Sequence, residues 1–268
     1  MMKISLYLAS PKIKFIQSMC RENLKDGIEL AASCGYDGVE ILPNDFTDLD
    51  PKIIKETISS YKLELVGISS AFLKINHGLS ISDPDKRRLA VKYLKKCIDY
   101  AWRLESPFIS IGLIRGKRAK GIPDHHALNL IVDSLRDCGK YAEDRGVFLL
   151  IEPENRYETD FIHTVEEGVK LIKDINLENV KLMVDTFHMN IEERSIEEAL
   201  DAASRYLLHV HVADSNRLAP GMGHFDFKAF FKKLKQIGYN RFLGVEIMAL
   251  PEPEIAARKS INFIRRFF

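Results

Sequence analysis

Short apolar, β-rich runs recur along the whole chain with longer amphipathic segments between them. That alternation restricts the fold more than any other feature. ISLYLA (4–9), GVEIL (38–42), LVGISS (65–70) and FISIGL (108–113) read as strands. FLLIEP (148–153), KLMVDTF (181–187), LLHVHVADS (207–215) and FLGVEIM (242–248) complete a set of eight. Runs this continuously apolar suit strands covered on both faces, as in a parallel sheet.

The segments between them read as helices. LKDGIELAASCG (24–35) carries apolar residues at helical spacing and stops at Gly35, a natural C-cap. Residues 82–104 open on Ser82, Asp83 and Pro84, a helix-start signature. HTVEEGVKLIKDI, SIEEALDAASRYL, DFKAFFKKLKQIG and the final PEPEIAARKSINFIRRFF follow the same pattern. Eight β-α repeats without a Gly/Ser/Pro-rich linker predict an α/β fold, a (β/α)8 barrel built as one domain over residues 1–268. An open doubly wound sheet is the runner-up, but no GxGxxG or GxxxxGK[ST] follows any expected strand.

In such a barrel the active site lies at the C-terminal ends of the strands. Glu152 closes the fifth expected strand and Asp185 the sixth; His211 lies in the seventh and Glu246 in the eighth. Each is set among apolar neighbours (LLIE, LMVD, HVHV, GVEI). One buried acid is explained by a nearby lysine; four such groups on consecutive strands converge on half of the barrel mouth. Three carboxylates and one imidazole suit a hard or borderline divalent ion, Mn2+ foremost, with Mg2+ or Co2+ as alternatives. A cation also offsets the cost of bringing three acids together away from water.

Further polar groups fall on the loops beyond those strands. Arg156 and Glu158 follow Glu152, His188 lies three residues after Asp185, and Arg217 six after His211. Each taken singly also fits a solvated loop or helix-end charge. His209 shares a strand face with His211 and is expected lower in the barrel. His224 and Asp226 either line the site or begin the next helix, with Asp226 as N-cap. Arg115, Lys117 and Arg118 follow the fourth strand and fit either recognition of a carboxylate or phosphate or a solvated basic loop.

With these residues in view, the chain resembles the metal-dependent ketose 3-epimerases of the xylose-isomerase-like TIM barrel superfamily (D-tagatose and D-psicose 3-epimerases). The blocks that carry the likeness are IEPENRYETDF, VDTFHMNIEE, HVHVADSNRLAPGMGH and GVEIM. Their wording is most similar to the 5-keto-L-gluconate epimerase branch, which acts on a keto sugar acid. The resemblance implies Glu152, Asp185, His211 and Glu246 as metal ligands, Glu152 and Glu246 as the catalytic pair, and Glu158, His188 and Arg217 as substrate contacts. It also implies aromatic residues near the first and third strand ends, for which Tyr7 and Phe72 are the candidates. The loop SSAFLKINHGLS (69–80) departs from the family's pattern and leaves the substrate open between a ketose and a keto sugar acid. Family members form dimers or tetramers, so a homodimer or homotetramer is implied.

The expected reaction is epimerisation beside a ketone, through a metal-stabilised enediolate with the two glutamates as acid and base. An aldose–ketose or hydroxypyruvate isomerase would use the same metal site. A non-catalytic sugar-binding barrel would be expected to lack one of the two glutamates. An endonuclease IV-like repair nuclease shares the DTxH element (Asp185 to His188) but needs further histidines after the earlier strands. Strands two to four end in GVEIL, VGISS and ISIGLIRG, with none. The formal net charge of +1, from 39 basic and 38 acidic residues, offers no footprint for nucleic acid or an anionic membrane. Cys20, Cys34, Cys97 and Cys138 form no CxxC pair and read as idle thiols in a reducing, cytoplasmic compartment.

Overall fold

The computed structural model describes residues 2–13, 18–46 and 50–268. Eight strands close into a barrel in sequence order: β1 (Lys3–Ala9), β2 (Gly38–Leu42), β3 (Glu64–Ser69), β4 (Phe108–Ile111), β5 (Phe148–Ile151), β6 (Val180–Asp185), β7 (Leu207–Val212) and β8 (Phe242–Val245). Every pairing is parallel, and β1 closes onto β8 with Ile4 opposite Leu243 and Leu6 opposite Val245.

Ten helices pack among the described residues: α1 (Leu24–Cys34), α2 (Pro51–Ser60), α3 (Phe72–Ile75), α4 (Pro84–Arg103), α5 (Asp124–Glu143), α6 (Val165–Ile175), α7 (Thr186–Glu192), α8 (Ile196–Ala203), α9 (Phe227–Gln236) and α10 (Pro253–Arg265). Local chemistry sets their ends. Asn23 and Asp26 form a capping box at α1, and Thr164 with Glu167 forms another at α6, each satisfying backbone N–H groups that the first turn leaves free. Gly35 ends α1 at φ 83, where a Cβ would be strained. None of the described helices is long and apolar enough to cross a membrane.

The strands end earlier than their apolar runs suggest. β6 stops at Asp185 because the Asp185 Oδ1 atom accepts the Phe187 backbone N–H at 2.8 Å and starts α7, so Thr186 and Phe187 are helical rather than extended. Likewise β8 ends at Val245, which puts Glu246 one residue beyond the strand.

Inside the barrel, Val66, Phe108, Leu150 and Met183 form an apolar floor. His209 sits above it, with its ring centroid 5.1 Å from that of Phe108 and 5.0 Å from that of His211. The polar layer therefore begins at His209 and opens upward to the C-terminal rim, while the outer strand faces bury Val39, Ile41, Ile109 and Leu182 in the helix-covered core.

Candidate metal centre and substrate pocket

Glu152 is the first residue after β5, held at the rim because its backbone N–H continues the ladder to the Ile111 carbonyl at 3.1 Å. Asp185 ends β6, His211 lies in β7 opposite it in register, and Glu246 follows β8. One donor atom from each of the four lies within 4.8 Å of every other. His211 Nδ1 is 2.9 Å from Glu246 Oε2 and 3.5 Å from Glu152 Oε1.

Two atoms at this point test whether the residues fit a cation. Glu152 Oε1 and His211 Nδ1 are both buried, and although carboxylate oxygens lie close to Nδ1, neither atom makes a well-aligned hydrogen bond among the described residues. An orphaned buried donor or acceptor costs about 1–3 kcal/mol, so a pair facing one point calls for an occupant. Three carboxylate oxygens and one imidazole nitrogen fit a divalent metal ion there.

The electrostatics of the four residues are strongly perturbed. Burial, reinforced by Glu246 and Glu152, lifts Asp185 to about 7 against the pull of Arg217. Burial would lift Glu246 as well, but Arg217 and His211 overcome it and hold that carboxyl at about 2. His211 resists burial and is raised well above the usual imidazole range by Glu40 and Glu246. Arg217 brings positive charge to these acids, with NH1 3.0 Å from Asp185 Oδ2 and NH2 2.8 Å from Glu246 Oε2.

Glu40, on β2, is a partner that sequence reasoning missed. Its Oε2 is 2.7 Å from His211 Nε2, its Oε1 is 3.0 Å from His209 Nε2, and Ser5 Oγ donates to Oε1 at 2.7 Å. The carboxylate takes the His211 Nε2–H and leaves Nδ1 free to face the three acids, as in carboxylate–histidine–metal relays. The available signal was local: GVEI occurs at 38–41 and again at 244–247, each time with an acid in an otherwise apolar run.

The expected substrate-side residues Glu158, His188 and Arg217 all line the cavity above these four. Asn155, also missed, ties two of them together. Its Nδ2 donates to Glu158 Oε1 at 3.0 Å and to His188 Nδ1 at 2.8 Å. His188 Nδ1 is thus an acceptor, and its Nε2 carries the proton, 4.0 Å from Asp185 Oδ2. Burial and the nearby Arg217 keep His188 well below the usual imidazole range, so it is a neutral donor. Arg217 itself adopts φ 60, a left-handed conformation costly for a side chain with a Cβ. Its N–H donates to the Asp214 carbonyl at 2.8 Å and its own carbonyl accepts from Met248 at 2.9 Å, which fixes the guanidinium over the site.

Other expected positions separate. Tyr7 lines the cavity, ring edge toward His211 at 5.6 Å between centroids. Phe72 is fully buried against Phe46 instead. Arg156 points outward into a two-pronged ion pair with Glu192. His224 is exposed and pairs with Ser215 Oγ at 3.0 Å, and Asp226 is the N-cap of α9. Within the basic loop, Arg118 pairs with Asp124 and Lys117 Nζ donates to the Tyr157 carbonyl, whereas Arg115 is fully buried against Glu154.

The chain is similar to proteins already known. Residues 28–267 match the family model described as xylose isomerase-like TIM barrel. A D-psicose 3-epimerase of Ruminiclostridium cellulolyticum is 32% identical over 82% of this chain and 76% of its own length. A 3-dehydro-D-guloside 4-epimerase of Escherichia coli is 34% identical over 51% of this chain and 52% of its own. Among solved structures, D-allulose 3-epimerase from Methylomonas sp. in complex with D-allulose superposes with a TM-score of 0.83 at 25% identity, covering 100% of this chain and 98% of that one. The chain belongs to the xylose isomerase-like TIM barrel family, among its sugar epimerases.

Proposed function

We propose that residues 1–268 form one barrel domain acting as a divalent-metal-dependent sugar epimerase that inverts the carbon next to the keto group of a ketose or keto sugar acid. The observation that carries this reading is the meeting of Glu152, Asp185, His211 and Glu246 around two unpartnered buried atoms. Relatives named as ketose 3-epimerases and a 4-epimerase support the same class of reaction.

A divalent ion held by these four residues, Mn2+ in our reading and Mg2+ or Co2+ otherwise, would polarise the substrate carbonyl and stabilise the enediolate. Glu152 and Glu246 reach the cavity from β5 and β8, so each can meet a different face of a substrate carbon. One takes the proton and the other returns one, with roles exchanged in the reverse direction. Asp185 and His211 hold position without moving protons, and Glu40 fixes the His211 tautomer. Glu158 accepts from a substrate hydroxyl, while the His188 Nε2–H and Arg217 donate to its oxygens. The protein is read as cytoplasmic, as a homodimer or homotetramer, with neither nucleic acid nor membrane as partner.

The test is solvent exchange by Mn2+-loaded protein in deuterated water, screened against ketoses, ketose phosphates and keto sugar acids. An epimerase gives a ketose labelled beside the carbonyl; an aldehyde product would identify an aldose–ketose isomerase instead. Glu152→Gln and Glu246→Gln should each lose roughly 10²-fold or more in turnover. Wild-type turnover in both variants with metal bound, or activity unaffected by chelation, would overturn the proposal.

A further inference from the structure

Glu154 and Arg115 meet beside the cavity in a way the reaction just described does not use. Arg115 is fully buried, and Glu154 is 6% exposed, a combination rarely maintained without reason. Arg115 NH2 lies 3.3 Å from Glu154 Oε2, and the remaining N–H groups donate to the carbonyls of Ile111, Phe161 and Ile162. Each of the three guanidinium nitrogens is thus engaged. It is the one cation that the loop after β4 directs inward, since Arg118 and Lys117 are held outside by Asp124 and Tyr157.

Glu154 lines the cavity, with a carboxylate oxygen within 4.8 Å of donor atoms of Glu158 and His188. A Cβ built on Gly112 would lie 2.1 Å from Glu154 Oε1 and 3.4 Å from Glu152 Oε2, so both oxygens border the space that the bare glycine leaves open. Glu154 and Glu158 therefore add two carboxylates to a pocket already lined by Glu152 and Glu246. Arg217, the guanidinium of the lining, is placed against Asp185 and Glu246.

We propose that Glu154 is a specificity-determining residue. It occupies Arg115, the cation a substrate carboxylate would need, and presents its free oxygen to hydroxyls, so the pocket accepts an uncharged ketose and rejects a sugar acid. This rests on the epimerase reading and narrows its substrate. A carboxylate entering beside Glu154 would find Arg115 already taken and the carboxyl groups of Glu152, Glu158 and Glu246 around it, whereas a hydroxyl finds acceptors there. Removing Glu154 leaves Arg115 buried and unpaired, and an anionic ligand can then take the vacated place.

The test compares wild type, Glu154→Gln, Glu154→Ala and the double variant Arg115→Met/Glu154→Ala. Turnover of a ketose is set against that of a keto sugar acid of equal length, and calorimetric binding of glucitol against that of gluconate. Wild type should prefer the uncharged member of each pair. Glu154→Ala should shift both ratios toward the acid by roughly tenfold or more, and Glu154→Gln by less. The double variant should lose the shift, and acetate should raise the melting temperature of Glu154→Ala alone. A wild type that prefers the acid, an unchanged ratio in both single variants, or a shift that survives in the double variant overturns the proposal. If no compound exchanges its proton, the epimerase reading fails instead, and the glucitol and gluconate affinities still decide the role of Glu154. Should Glu154→Ala not fold, wild type and Glu154→Gln, which keeps an acceptor for Arg115, carry the decision.

Discussion

Glu40 Oε2 lies 2.7 Å from His211 Nε2, across the imidazole ring from the nitrogen that faces Glu152 and Glu246. The two residues are 171 positions apart in sequence, and the barrel brings them together through β2 and β7. Without Glu40 the ring is free to rotate or change tautomer. Glu40→Ala should bind Mn2+ roughly 10–100-fold more weakly, measured by calorimetry, with the fold preserved by circular dichroism.

Gly244 gives that contact its room. A Cβ at this position would lie 2.2 Å from Glu40 Oε1 and 2.8 Å from both His209 Nε2 and His211 Cδ2. Neither imidazole can move aside inside a filled barrel. Gly244→Ala should destabilise the protein by about 1–3 kcal/mol in urea unfolding and weaken metal binding as well. Unchanged metal affinity in this variant would count against the Glu40–His211 relay.

Metal uptake should release protons. In the metal-free protein Asp185 is lifted from 3.8 to about 7 and His211 is also raised, so both must deprotonate to ligate. The sign for stability follows. A group whose folded pKa is raised favours the folded state at low pH, and that advantage fades as pH climbs through the folded value. Metal-free protein should therefore lose stability from about pH 4 to beyond pH 7 on account of Asp185, while metal affinity rises over the same window. Melting temperatures with and without Mn2+ from pH 5 to about pH 8 should diverge as pH increases. Calorimetry in buffers of different ionisation enthalpy counts the protons.

The cysteines should be unequal toward alkylation. Burial pushes Cys20, Cys97 and Cys138 up to about 12, which leaves almost no thiolate at neutral pH. Cys34 is only partly buried and less shifted in its surroundings. Iodoacetamide on native protein should mark Cys34 first, and the other three only after unfolding. Mass spectrometry of timed digests reads this directly.

Much of the barrel could be read from the chain because parallel strands buried on both faces leave nearly unbroken apolar runs. Asn23, Thr164 and Gly35 likewise advertise helix ends through side-chain chemistry that acts within a few residues. The four converging donors were legible because each is a charged or polar group where the run should have stayed apolar. Glu40 carried the same mark, but its partners lie on a strand 171 positions away, and no local rule pairs them. The pairing of Arg115 with Glu154 escaped for a related reason. Both fall in polar loop stretches, and only the tertiary fold buries one against the other. Phe187 was misread because the cap made by Asp185 depends on a side-chain rotamer rather than on hydrophobic periodicity.

That cap has a consequence for how the protein can change. The Asp185 carboxylate starts α7 with one oxygen and faces Arg217 and the metal point with the other. His188, on the first turn of α7, therefore depends for its place on the same carboxylate. A longer or uncharged residue at 185 would disturb the four-residue cluster, the helix start and the cavity-lining imidazole at once. Substitutions on the loops after β4 and β5, where Arg115 and Glu154 meet, touch none of these three at once.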